Sequence, residues 1–505
     1  MLEKRIRRED LKSKVVSAEE AAKLIEDGMV VATSGFTPSG YPKAVPLALA
    51  KRAEAGEEIG ITLLTGASVG DELDGALGRA GVIKRRFPYQ THKDIRNGIN
   101  GGSIAYQDMH LSHLPQYMEA GVYGDIDVAI VEAVAITEEG GIVPSTSVGI
   151  ASNAVKLAKK VIIEVNTSQP LALEGMHDIY LPEKPPFRKP IPIEKAGDRI
   201  GTTYIPCDMD KIAAIVVTDI TDKVRPLGAI DENSKAISRH IIEFLKKEVE
   251  AGRLPENLLP LQSGVGSVAN AVLGGLVESP FENLTCYTEV LQDSMLDLID
   301  SGKASVISTT AVTPSESGLE RFLDNIERYA NHIVLRPQEI SNNPEVARRL
   351  GVISMNTAIE IDMYGHVNST NIMGSRMMNG LGGSGDFTRN AYLSIYTTVS
   401  TAKGGDISSI VPMVSHVDHT EHDVMVVVTE QGLADLRGTS PVERARLIIN
   451  NCAHPDYRDQ LNDYLDRALE KGLNHEPHNI GEALSWHETF LKTGSMKNLE
   501  AKSCC

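Results

Sequence analysis

The sequence predicts an α/β protein with mainly parallel sheets, duplicated within one chain. Three observations carry this. The strand-like segments are short, continuous and β-branched, as in parallel strands covered on both faces. They alternate with helix-like segments. The string Gly141-Ile-Val143-Pro-Ser145-Thr146 also returns as Gly365-His-Val367-Asn-Ser369-Thr370. Each copy follows a strand-like stretch (128–134 and 352–361) and precedes another (160–165 and 424–429), as an internal repeat would. The 505 residues exceed one ordinary core. The expected domains are 1–228 and 229–505, with one site in the cleft between them.

The elements follow in order. Ser17-Ala-Glu-Glu20 is a capping box, and Ala21, Leu24 and Ile25 form the apolar stripe of the first helix, which Gly28 closes. A buried strand at 29–33 leads through Ser34-Gly35-Phe36-Thr37-Pro38-Ser39-Gly40 into a helix beginning near Pro42. Further strands are expected at 61–64, 128–132, 160–165, 213–217, 283–287, 333–335 and 424–429. The segment 182–192 carries five prolines and reads as an extended excursion. Residues 231–252 form a long charged helical pattern with Ile237, Ile241, Ile242, Leu245 and Val249 on one side, placed between the two halves.

Composition narrows the function. Lys and Arg number 50 against 68 Asp and Glu, a formal net charge of −18, which argues against bulk nucleic-acid or anionic-membrane binding. An anionic ligand must therefore rest on local donors. The five cysteines, Cys207, Cys286, Cys452, Cys504 and Cys505, form no CxxC pair and no disulfide framework. The opening MLEKRIRREDLKSK has no apolar stretch of the secretory kind, and no apolar run approaches the ~20 residues of a membrane span. A soluble, reduced, cytoplasmic protein is expected.

Several residues suggest chemistry. Glu289 ends a strand pattern, and the helix-like residues 290–299 follow it. That is the ligand edge of an open α/β sheet, where a helix dipole would keep a carboxylate ionised and able to attack. On spacing alone, a first-turn glutamate that merely complements the dipole is the more economical reading. The run Gly264-Val265-Gly266-Ser267-Val268 opens a helix and offers backbone N–H groups to an anion or oxyanion, or is simply a tight turn. Asn379-Gly380-Leu-Gly382-Gly383-Ser-Gly385 matches GxGxxG, but no clean strand precedes it and DFTRN after it shows no helix stripe. It therefore reads as close backbone approach to a ligand and not as a dinucleotide site. His416, His419 and His422 resemble a metal cluster, but their spacing does not match HExxH; a polar turn before strand 424–429 is preferred. Glu430 is a second strand-end carboxylate, catalytic or structural.

The strings SGFTPSGYPK (34–43), LLTGAS (63–68), GGIVPSTSVG (140–149), LPLQSGVGSVANAV (259–272), YTEVLQDSML (287–296), RPQEISNNPE (336–345), MNGLGGSGDF (378–387), VPMVSHVDH (411–419) and TEQGLADLRG (429–438) resemble the acetyl-CoA hydrolase/transferase family of class I CoA-transferases, most closely its succinyl-CoA transferases. The resemblance implies two tandem CoA-transferase-type α/β domains with the active site between them, and a homodimer. It places the catalytic glutamate on Glu289 and oxyanion donors on Val265 and Gly383. The acyl-CoA loop falls on Gly264, Val265, Gly266, Ser267 and Val268. Supporting polar residues fall on Ser68, Asn342 and Glu430, and coenzyme A contacts on Asn379, Gly383 and Lys403. A cation for the substrate carboxylate falls on Lys223 or Arg225. Asn-Gly follows the glutamate in ketoacid transferases, whereas Val290-Leu291 stands here, favouring succinate and short acyl groups. The implied activity is transfer of coenzyme A between a short acyl-CoA and a free carboxylate through a glutamyl-CoA thioester, with coenzyme A as substrate and no metal or other cofactor. Acyl-CoA hydrolysis through the same intermediate is the first alternative, and a metal-dependent hydrolase on His416, His419 and His422 the second.

Overall fold

A computed structural model of the chain describes residues 2–224, 228 and 230–497. Arg225, Cys504 and Cys505 lie outside the described residues. The first half holds β1 (Val30–Thr33), β2 (Ile61–Leu64), β3 (Ile83–Phe87), β4 (Ala105–Tyr106), β5 (Val128–Ile136), β6 (Ile142–Pro144), β7 (Lys160–Asn166) and β8 (Ile212–Thr218). They form one sheet in the order β4-β3-β2-β1-β5-β7-β8, with β6 antiparallel to β5. The second half holds β9 (Leu261–Ser263), β10 (Leu284–Tyr287), β11 (Ala304–Thr309), β12 (Ile333–Leu335), β13 (Ile353–Thr357), β14 (Leu393–Thr397), β15 (Val426–Thr429) and β16 (Gly432–Asp435). Their order is β12-β11-β10-β9-β13-β14-β15-β16, parallel except for the final hairpin.

Without β6 and β16, the two sheets wind identically. In each, the first strand lies between the second and the fifth, so the chain reverses direction across the sheet there, at a topological switch point. The repeated string closes a hairpin beside the fifth strand in both halves: Val143 pairs with Ala135, and Val367 with Ile361. The sequence reading matched the strand at 424–429 to that at 160–165. The structure corrects this, because the true counterpart of β7 is β14, and β15 answers to β8. Leu-Ser-Ile-Tyr-Thr in β14 alternates polar and apolar residues although all five are buried, so no apolar run announces it.

The Ser17 capping box forms as expected, though its helix is only Ala18–Ala22. The helix Glu232–Glu250, capped by Asp231, packs against the helix Ser267–Val277 and against β15. It belongs with the second sheet and is not a bridge between the halves. The proline-rich excursion has no regular structure, yet its surroundings grip the second half. Asp178 forms a buried ion pair with Arg336, and Arg349 donates to the carbonyl of Ile191 at 2.7 Å. The largest buried cluster runs through both sheets, so the two halves share one packed core. Among the described residues, no helix is long and apolar enough to cross a membrane.

Candidate active site

The halves meet through the loops that follow β1, β6 and β11. Ser39 Oγ donates to the Val312 carbonyl at 2.6 Å, and Val312 N–H donates to the Thr146 carbonyl at 3.0 Å. Above this seam lies a cleft of about 270 Å³, walled by Phe36, Thr37, Ala67, Tyr89 and Leu111 from the first half and by Gly264, Val265, Glu289, Asn356–Ile359 and the 379–384 loop from the second.

Glu289 stands at the cleft floor just beyond β10. The helix expected directly after it begins only at Asp293. Val290–Leu291 instead pairs in parallel with Ala311–Val312, with both apolar residues buried. The backbone here is rigid: the Glu289 carbonyl accepts Thr309 Oγ1–H at 2.7 Å and the N–H groups of Thr310 and Ala311 at 3.0 and 3.1 Å. The side-chain Oε1 accepts Asn342 Nδ2–H at 2.5 Å, and the Gly383 N–H also points at the carboxylate. Burial pushes the carboxyl up to about 7 against these two donors. The expectation that a helix dipole would hold it ionised is thereby corrected, since desolvation outweighs a dipole that starts four residues away.

Asn342 caps the short helix Gln338–Ser341. Ser341 Oγ donates to Asn342 Oδ1 at 2.8 Å, which turns Nδ2 toward Glu289. Gly383 caps the helix Ser384–Thr388, so DFTRN does begin in a helix, contrary to the sequence reading; five residues are too few to show a stripe. A Cβ on Gly383 would sit 1.6 Å from Glu289 Oε1 and 2.2 Å from Asn342 Nδ2. Glycine is required there by contact with the carboxylate.

The other wall of the cleft is the Gly264–Gly266 loop. Gly266 has φ +134°, and Gln292 clasps the loop, donating to the Gly264 carbonyl at 2.8 Å and accepting the Gly266 N–H at 3.2 Å. Val265 is 54% exposed and projects into the cleft. Ser267 and Val268 start the helix behind it and do not line the opening. Asn379 does line it, with a buried Oδ1 that has no hydrogen-bond partner.

The remaining predicted residues stand further back. Ser68 is buried, its hydroxyl 3.3 Å from Asp74 Oδ2; its neighbour Ala67 faces the cleft. Glu430 accepts the Ser400 N–H at 2.8 Å and the Ser400 hydroxyl. Burial raises its carboxyl, but these bonds and that from Gln431 win and hold it below the usual carboxylate value. Glu430 thus fixes the turn leading to Lys403. Lys403 is exposed, with Nζ 4.9 Å above the Phe490 ring. Lys223 pairs with Glu72 at 2.6 Å. None of these four lines the cleft.

The three histidines do not converge. His416 lies 3.3 Å from Asp418, His419 Nε2 is 3.0 Å from Ser384 Oγ, and His422 pairs with Glu421 at 2.5 Å. Among the described residues, two other groups are close enough to share a cation, Asp71–His92–Asp94 and His366–Glu421–Glu476; neither includes a residue of the cleft wall.

Sequence reasoning missed three contributors. Asp108, from the first half, accepts the Leu381 N–H at 2.8 Å and so fixes the glycine loop. Gln292 clasps the opposite loop, and Asp386 lies buried behind Asn342. The available signal for the last two was their place inside the family-like strings YTEVLQDSML and MNGLGGSGDF; Asp108 lies in none of those strings.

Residues 1–217 match the acetyl-CoA hydrolase/transferase N-terminal domain and residues 318–465 its C-terminal domain. The chain is 62% identical, over 98% of its length and 92% of the relative's, to a succinyl-CoA:acetate CoA-transferase of Clostridium kluyveri. It is 46% identical to a propanoyl-CoA:succinate CoA transferase of Escherichia coli (95% and 98% covered) and 48% identical to an acetyl-CoA hydrolase of Schizosaccharomyces pombe (98% and 99%). Among solved structures, RipA from Yersinia pestis shares the fold at TM-score 0.71 and 24% identity, covering 90% of this chain and 98% of its own. A 4-hydroxybutyrate CoA-transferase from Porphyromonas gingivalis does so at 0.62 and 22%, with 90% and 98% covered. With matched domains at both ends and near full-length identity to curated relatives, the chain belongs to the acetyl-CoA hydrolase/transferase family.

Proposed function

We propose that the protein transfers coenzyme A between a short acyl-CoA, succinyl-CoA foremost, and a free carboxylate such as acetate, in ping-pong fashion through a glutamyl-CoA thioester on Glu289. The observation that carries the reading is a carboxylate on the cleft floor, gripped by Asn342 Nδ2 at 2.5 Å and facing the Gly383 N–H. The identities to the C. kluyveri and E. coli transferases support it.

The chemistry requires a carboxylate. A serine nucleophile would form an ester and dissipate the energy of the thioester. Glu289 attacks the thioester carbonyl and forms a mixed anhydride, expelling coenzyme A as thiolate. The thiolate attacks the γ-carbonyl of Glu289, the first carboxylate leaves, and an enzyme–CoA thioester remains. A second carboxylate then reverses both steps and regenerates Glu289. Each acyl transfer passes through an oxyanion, for which Val265 N–H and Gly383 N–H are the assigned donors. One such donor is worth roughly 3 kcal/mol in a water-poor site. Gly264, Gly266, Ser267 and Val268 shape the thioester loop; Asn379 and Lys403 contact coenzyme A; Ser68, Asn342 and Glu430 support the machinery. The steps are acyl transfers throughout and call for no metal or redox cofactor.

Residues 1–228 and 229–505 form two CoA-transferase-type domains in this reading, supported by the identical winding of the two sheets. A homodimer follows from the family resemblance. Hydrolysis is the second reading, favoured by the S. pombe acetyl-CoA hydrolase, which resembles this chain over nearly its whole length. Consumption of succinyl-CoA with and without acetate separates the two: transfer requires acetate and yields acetyl-CoA, whereas acetate-independent release of free thiol at the same rate would establish the hydrolase.

A further inference from the structure

The loop 376–383 belongs to the second half, yet residues of the first half hold it at both ends. Asn100 Nδ2 donates to the Met377 carbonyl at 2.8 Å, and Asn100 Oδ1 accepts the Met377 N–H at 3.0 Å. Arg96 Nη1 donates to the Met378 carbonyl at 3.3 Å. Further along, Asp108 takes the Leu381 N–H between its two oxygens, at 2.9 and 2.8 Å. Between these anchors the loop lies flat against the first half: a Cβ on Gly380 would stand 2.5 Å from Tyr106 Oη and 2.7 Å from Asp108 Oδ1.

The anchors themselves are well founded. Arg96 and Asn100 ride on the helix Lys93–Asn100, which His92 caps and whose Ile95 is buried. Asp108 follows β4, the edge strand of the first sheet, where Tyr106 pairs with Arg86. Its neighbour Met109 is buried in the core. The Asp108 side chain is exposed, so the fold does not depend on its burial. A carboxylate that accepts a backbone N–H makes one of the stronger hydrogen bonds. A single residue, Gly382 with φ +64°, separates Leu381 from Gly383. The Gly383 N–H that faces Glu289 therefore lies two residues from the Asp108 anchor.

We propose that Asp108 sets the position of the Gly383 N–H over Glu289, so that the first half takes part in the oxyanion site through a clamp on the second half's glycine loop. Asn100 and Arg96 hold the other end of the same clamp. Asp108 is a positioning residue acting through Leu381, and the inference rests on Glu289 being the nucleophile and Gly383 N–H an oxyanion donor. Such a donor works only when it is fixed in advance where charge develops, and a shift of about 1 Å costs about 10²-fold in rate. A loop with glycine at 380, 382 and 383 has little stiffness of its own. Its height above the carboxylate is imposed by what grips it.

The test is a kinetic cycle on the full chain. Asp108→Ala should lower kcat about tenfold while the KM for acyl-CoA stays within about threefold. Asp108→Asn keeps an oxygen for the Leu381 N–H and should restore most of the turnover. Combined with Gly383→Ala, the Asp108→Ala change should cost little more, because both act on the same N–H. A kcat for Asp108→Ala within about twofold of wild type, or losses that multiply in the double variant, would overturn the proposal. If Asp108→Ala does not fold, Asn100→Ala applies the same cycle at the other anchor. Hydrogen exchange reads the clamp without any chemistry: the segment 379–384 should exchange faster in Asp108→Ala than in wild type, and unchanged exchange overturns the clamp. Borohydride trapping of the wild type is a separate control: no inactivation in the presence of acyl-CoA would remove the nucleophile reading while leaving the exchange comparison intact.

Discussion

Gly383→Ala exchanges one hydrogen for a methyl group, and the structure says where that carbon goes. It would lie 1.6 Å from Glu289 Oε1 and 2.2 Å from Asn342 Nδ2, against a floor of 3.0 Å for real Cβ contacts. Both atoms are side-chain ends and can swing aside, so the movement falls on the carboxylate and its donor while their backbones stay in place. The Glu289 backbone is held by three donors, and Asn342 is held by Ser341. The carboxylate must withdraw by about 1 Å or more, a misplacement that costs about 10²-fold in rate. Loss of one aligned oxyanion donor costs about 10²–10³ in kcat. Both effects fall on the same atoms and do not add, so the expected loss is about 10²–10³ in kcat, or about 3–4 kcal/mol. The backbone itself raises no objection: Gly383 has φ −91° and ψ 1°, open to alanine, so the variant should melt within a few degrees of wild type. Steady-state transfer from succinyl-CoA to acetate gives kcat and both KM values. A kcat within threefold of wild type, or a raised KM for acyl-CoA alone, would refute the reasoning and leave Gly383 as a simple contact.

Glu289→Ala should abolish transfer with the fold intact, and borohydride, which reduces enzyme thioesters, should inactivate wild type only in the presence of acyl-CoA; near-wild-type transfer by the variant ends the assignment. Because Glu289 reacts as its anion, activity should rise with pH through the neutral range; Asn342→Ala removes a donor that favours the anion, so its limb should move to higher pH, and an unmoved limb would show that the 2.5 Å bond does not poise the carboxylate. Lys403→Ala should raise the KM for acyl-CoA several-fold and leave that for acetate unchanged; equal values at low ionic strength, where screening is weakest, would leave Lys403 as a surface cation over Phe490.

What the sequence by itself determined is what short-range physics encodes. Ser17 and Glu20 close a capping box because both partners lie within four residues. β2 falls where the apolar run Ile61–Leu64 predicts it, and Glu289 was found at a strand end because strand and carboxylate are adjacent in the chain. The family strings added the roles, and so named Asn342, Gly383 and Asn379 before any geometry was known. Only the tertiary structure decided how these residues come together. Asn342 lies 53 positions from Glu289, and Asp386 meets Ser112 across 274. No periodicity carries such distances; they depend on two sheets winding alike and on the loops through which they meet. The fold also reversed the local electrostatic expectation at Glu289. A helix dipole can be read from sequence, but desolvation comes from every atom that surrounds the carboxylate, and those atoms arrive from both halves of the chain. The upward push on the Glu289 carboxyl therefore belongs to the folded cleft, because the burial that causes it does not exist until the chain has closed around it.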